Sequence, residues 1–168
     1  MEWTGAVYAD NPTVEVSTWI DASPQRVWEL ASDITVIAES SDELQRVEWA
    51  AGCDTPCVGA RFTGYNQHPA LGEWSTVCEI VEYEPQHAIA WAVGDAAHPT
   101  ATWGFRLAAE GNGSRLSQSA QMGPAPSGLS IAIAAMPEKE EKIVFNRLRE
   151  FESGMVATLE HIKRKAES

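Results

Sequence analysis

The stretch EKEEKIVFNRLREFESGMVATLEHIKRK, residues 138–165, decides how the rest of the chain is read. Within it Val144, Leu148, Phe151, Met155, Leu159 and Ile162 recur at steps of three and four, which sets them on one stripe of a helix. Lysines, arginines and glutamates fill the opposite side. At about 1.5 Å per residue such a helix is roughly 40 Å long, enough to cross a small domain. A single apolar stripe of that length needs a broad apolar partner, and the preceding segments read almost entirely as strands. A curved sheet around one helix tends to leave a gap between them. The pattern predicts a container.

Working outward, the chain has 168 residues, a length suited to one domain over 1–168. Its 12 Lys and Arg against 24 Asp and Glu give a net charge of −12, with no basic cluster before residues 161–165. Nucleic acid and anionic membranes both need a concentrated positive surface, so neither is an expected partner. The final basic run complements the negative end of the helix dipole. Residues 1–10 show no positive n-region and no apolar h-region, and no apolar stretch approaches about 18 residues. Three cysteines, an odd number, make no disulfide framework. A cytoplasmic protein with reduced thiols is the expectation.

Residues 1–12 read as a leader ending at Asn11-Pro12. Alternation of Val14, Val16, Thr18 and Ile20 with polar neighbours marks a first strand over 14–20. Ser23 and Pro24 then supply an N-cap and a first helical residue for a short helix carrying Val27, Trp28, Leu30 and Ala31, and residues 34–39 form a second. Six more strands are expected over 44–49, 60–67, 73–83, 88–93, 100–108 and 114–122, with residues 52–56 and 94–99 as loops and Gly111-Asn112 inside a hairpin turn. The order of strand, two short helices, six antiparallel strands and a terminal helix is α+β: a seven-stranded curved antiparallel sheet around a long C-terminal helix.

Four stretches carry a family resemblance: IDASPQRVW at 20–28, GARFTGYN at 59–66, VEYEPQHAIAW at 81–91 and GSRLSQS at 113–119. With the terminal helix they make the chain, over about residues 12–165, resemble the polyketide cyclase/dehydrase-like branch of the SRPBCC superfamily, also called START-like or helix-grip proteins. The resemblance implies a deep apolar pocket between sheet and helix for small hydrophobic or amphipathic molecules. It implies no catalytic residue, because the family lacks one shared catalytic motif and fold alone does not assign function.

Strand parity turns the container into a residue list. If Phe62, Gly64 and Asn66 share the concave face, then Trp74, Thr76, Cys78 and Ile80 point inward too, as do Ile89, Trp91 and Val93. Trp103, Phe105 and Leu107 continue that surface beside Leu116, Gln118, Ala120 and Met122, and Leu148, Phe151 and Met155 face them from the helix. The expected ligand-binding set is Phe62, Asn66, Trp74, Thr76, Cys78, Trp91, Trp103, Phe105, Gln118, Met122, Leu148, Phe151 and Met155. A bulge in the strand ending at Tyr83 would reverse one of these positions. Asn66, Thr76 and Gln118 stand out, since a buried polar group without a partner costs about 1–3 kcal/mol. The Gly- and Pro-punctuated stretch 123–136, with its apolar run 131–136, reads as a gate, a hydrophobic homodimer contact or a plain connection.

Two function classes follow. The first is a binder or carrier of a small apolar molecule, with no cofactor. The alternative is a cyclase, aromatase or dehydratase, a lyase or isomerase on a polyketide-like substrate, with Asn66, Thr76 and Gln118 orienting it and His68 or His98 moving the proton. A closed-core partner-binding module is the third. Cys53 and Cys57 lack the second Cys/His pair that zinc requires, so no metal is expected.

Overall fold

In a computed structural model, which describes residues 1–53 and 55–168, seven antiparallel strands form one sheet in the order β1-β7-β6-β5-β4-β3-β2. They are β1 Thr13–Ile20, β2 Leu44–Trp49, β3 Arg61–His68, β4 Gly72–Glu84, β5 Ala88–Asp95, β6 His98–Glu110 and β7 Gly113–Met122. The first strand pairs with the last, so the chain returns to its start before the terminal helix begins. Helices α1 (Pro24–Ala31) and α2 (Thr35–Ala38) follow β1, α3 (Gly128–Ala135) follows β7, and α4 (Glu140–Glu167) ends the chain. The architecture is the α+β helix grip that the sequence predicts.

Local chemistry explains the elements. Ser23 caps α1 by accepting from Arg26 N at 3.3 Å, with Pro24 in the first turn where its missing N–H costs nothing. The strands curve because their ladders are interrupted: register shifts fall between Leu44 and Arg46, Ile80 and Glu82, and Val93 and Gly94. A bulge adds local twist and bends its strand. The one in β4 lies late enough that Trp74, Thr76, Cys78 and Ile80 keep their common face, and Tyr83 resumes it opposite Ile89. At Gly104 the strands run so close that a Cβ would stand 2.9 Å from Ile89 O. Only glycine fits there.

The hairpins are tighter than the sequence implies. The expected loop at 94–99 shrinks to Ala96-Ala97, with Asp95 paired to His98, so both flanking strands run on past their predicted ends. The expected loop at 52–56 includes Asp54, which lies outside the described residues. The leader contains a short 3-10 turn, Tyr8–Asp10, whose first N–H is bonded to Glu140 Oε1 at 3.0 Å.

Burial separates two apolar clusters. One joins α1, α2 and the C-terminal half of α4 to the sheet through Ile20, Val27, Ile80, Phe105, Leu116, Leu159 and Ile162. The other gathers Val14, Ala120, Met122, Val144, Leu148 and Met155 around the N-terminal half of α4. Strand β7 runs between them, with Leu116 in the first cluster, Ala120 in the second and Gln118 in the middle.

Candidate ligand cavity

Between the concave face of the sheet and α4 lies a cavity of about 870 Å³. That volume falls within the range of pockets that hold small organic ligands. Its wall follows strand alternation. Phe62 and Asn66 enter from β3, Trp74, Thr76 and Cys78 from β4, Trp91 and Trp103 from β5 and β6, and Gln118 and Met122 from β7. Phe151 and Met155 of α4 face them. The structure therefore brings together most of the positions read from the sequence.

Phe105 and Leu148 are the corrections. Both point to the predicted side, yet each is about 1% exposed and neither reaches the cavity. Phe105 packs in the first cluster, its ring 6.0 Å from that of Trp91. Leu148 fills the second cluster between α4 and the sheet. The concave face is solid at both ends and hollow only between, which parity alone does not reveal.

Aromatic contacts stiffen the hollow. Trp49, Phe62, Trp91 and Phe105 form a chain of ring pairs with centroids 5.4–6.3 Å apart. Trp103 on the sheet meets Phe151 on the helix edge-on at 4.8 Å. Such pairs contribute about 0.5–1.5 kcal/mol beyond their buried area.

The polar groups on the wall are of two kinds. Asn66 donates from Nδ2 to Gly64 O at 3.3 Å, and the Thr76 hydroxyl lies 3.9 Å from Cys78 Sγ. Burial pushes the Cys78 thiol up to about 11, with the Thr76 contact opposing it weakly. At pH 8 only roughly a thousandth of such a thiol is ionised. Alkylation of Cys78 is therefore expected to run on the order of a hundredfold slower than that of exposed Cys57, rising about tenfold per pH unit toward pH 10. Peptide mapping after timed iodoacetamide exposure checks this; equal rates at pH 8 refute it.

The second kind sits at the rim. Arg147 of α4 donates from Nη1 and Nη2 to both carboxylate oxygens of Glu43, at 2.8 and 2.7 Å, and from Nη1 to Glu150 at 2.7 Å. Its guanidinium also lies 4.7 Å over the Phe151 ring. Burial disfavours the cation, but the two carboxylates outweigh it and hold its pKa above the usual arginine value. The Tyr8 hydroxyl donates to Ala125 O at 2.7 Å, closing another part of the rim. Neither proposed proton carrier reaches the wall: His68 sits 3.6 Å from Glu150, and His98 is exposed at the start of β6. Among the described residues no three His, Cys, Asp or Glu side chains are grouped to hold a metal ion.

Sequence reading missed Arg147, Glu150, Gly154 and Thr158, which line the cavity with Phe151 and Met155. Their signal was available. Positions 147, 150, 154 and 158 repeat at three and four, a second stripe beside the apolar one. Within the stretch 123–136, residues Gly128–Ala135 fold into α3, capped by Ser127 accepting from Leu129 N, with Leu129, Ile131 and Ala132 lining the cavity. Ile131 is 75% exposed there. No helix among the described residues is long and apolar enough to cross a membrane.

A bent antiparallel sheet, a long clasping helix and an apolar cavity between them define the class of helix-grip proteins. The chain belongs to the family described as "Polyketide cyclase / dehydrase and lipid transport", whose model matches residues 11–167. No curated protein matches it. Among solved structures it is similar to the Polyketide_cyc-like protein Cgl2372 from Corynebacterium glutamicum, with 29% identity, a TM-score of 0.64, and 90% of this chain and 89% of that one covered. It shares its fold with BexL, a di-domain ARO/CYC from the BE-7585A biosynthetic pathway, at 18% identity and a TM-score of 0.70, covering 96% of this chain and 53% of BexL. Major latex-like protein 151 from Panax ginseng has the same fold at 8% identity and a TM-score of 0.63, with 94% and 98% covered.

Proposed function

We propose that the protein binds a small hydrophobic or amphipathic molecule in the cavity between sheet and α4, as a binder or carrier. One observation carries this reading: an apolar, aromatic-walled space of about 870 Å³ whose charged lining groups stand at its rim. Burial of apolar ligand surface in such a space yields about 25 cal/mol per Å², enough to hold a molecule of modest size without any charged contact.

With His68 and His98 off the wall, the enzyme reading is left with the carboxylates that line the cavity, Asp42, Glu43 and Glu150. It ranks second because Glu43 and Glu150 are both engaged by Arg147 and the Cys78 thiol is held neutral by burial. A general base must be free to accept a proton near the reacting atom. The carrier reading asks for no such group.

Native mass spectrometry of the purified protein tests the proposal. A small molecule retained at one per chain, and lost on denaturation, is the expected result. A bare mass, together with no rise in Tm on adding 1-anilinonaphthalene-8-sulfonate or 2-naphthol, overturns it.

A further inference from the structure

Among the described residues, one buried side-chain polar atom lacks a hydrogen-bond partner, and it belongs to Gln118. The residue is 2% exposed, it lines the cavity, and the orphaned atom is its Oε1. Its surroundings explain why. Across the ladder it faces Val16 on one side and Phe105 on the other, and along β7 the next inward side chains are Leu116 and Ala120. All four are apolar. A buried amide oxygen with nothing to bond carries a standing penalty in the free protein, and a leucine of similar size would carry none.

Resting on the cavity reading above, we propose that Gln118 is the polar anchor of the ligand site and selects a neutral molecule with a hydroxyl group, alcohol, phenol or enol, at its buried end. A half-turn of the amide exchanges its single acceptor for two donors. A hydroxyl both gives and takes, so it satisfies either orientation. A charged end is disfavoured at this depth: among the described residues the only cation on the cavity wall is Arg147, and Glu43 and Glu150 already occupy it. A pure hydrocarbon fits the aromatic wall but leaves the amide as it was. The ligand thus enters hydroxyl first, its apolar body between Trp91, Trp103 and Phe151.

The test compares 2-naphthol with naphthalene, which differ by one hydroxyl, by calorimetric titration of the wild type, Gln118→Leu and Gln118→Met. The wild type is expected to prefer 2-naphthol about tenfold. In both variants the preference should fall to about one while naphthalene binds as well as before or better, and Tm should hold or rise. Equal affinity for the two probes in the wild type, or a preference that survives in both variants, overturns the anchor and leaves the cavity reading standing. A fall in Tm in both variants also overturns it, since it means the amide is satisfied without ligand. Failure of both probes to bind any of the three proteins overturns the cavity reading itself, and the anchor with it.

Discussion

Replacing Phe105 with alanine is expected to destabilise the fold by about 3–5 kcal/mol and to lower Tm by roughly 10 °C, the largest loss from any single truncation argued for this chain. The side chain is about 1% exposed and sits in register between Ile89 and Gln118 on an interior strand of the sheet. Its removal leaves a void that Trp91, 6.0 Å away by ring centroid, is held from filling by Phe62 on its other side at 6.3 Å. A core that cannot collapse pays the full cavity cost. Trp103→Ala makes the contrast. Trp103 is half-buried on the cavity wall, so truncation enlarges an existing space and should weaken 2-naphthol binding more than it weakens the fold. Urea denaturation and calorimetric titration of both variants check the pair. If Phe105→Ala keeps its stability and loses ligand, Phe105 belongs to the wall after all.

That contrast marks where sequence reading succeeds and stops. A strand shows which side each residue takes, because Cβ direction alternates with a period of two. Every inward position from Phe62 to Met122 keeps its predicted side for this reason, and the bulge after Ile80 falls where the long strand was expected to break register. Depth along that side is a different quantity. It depends on how far α4 stands from each strand, which is set by side chains from four or five elements together. Phe105 and Trp103 are two residues apart on one face, one packed solid and one lining a hollow. No local pattern separates them.

The helix was legible in a similar, partial way. Its apolar stripe placed α4 on the sheet, while Leu148 and Phe151, one turn apart, part company between core and cavity. The polar stripe at 147, 150, 154 and 158 looks like ordinary solvated surface until the sheet's rim is known to stand over it. The run 128–135 was opaque for another reason. It is apolar on nearly every side, so it has no periodicity to read and helix and strand look alike. Its Ser127–Ser130 cap was the usable clue: Ser130 Oγ accepts from Ser127 N, and Ser127 Oγ accepts from Leu129 N.

Gly154→Phe is expected to weaken 2-naphthol and 1-anilinonaphthalene-8-sulfonate binding at least about tenfold while leaving the protein as stable as before or more so. Position 154 is in the middle of α4, where glycine costs the helix about 0.5–1 kcal/mol relative to alanine. Nothing crowds it: a Cβ built there meets no atom within 4 Å. Close packing therefore does not require glycine at this position, and neither does the backbone, which is helical throughout. What glycine does preserve is open space, since the residue lines the cavity between Glu150 and Thr158 and is exposed there. Gly154→Ala separates the two effects, because a methyl group restores helix propensity and occupies little of the opening. It should raise stability by about 0.5–1 kcal/mol and leave probe affinity within about twofold. Most substitutions that abolish binding also damage the fold, so a change that strengthens the helix and shuts out the ligand assigns this gap to function. Wild-type affinity in Gly154→Phe would instead place the entrance away from the middle of α4, between α3 and the β3–β4 hairpin, where Ile131 and Leu71 stand exposed on the rim.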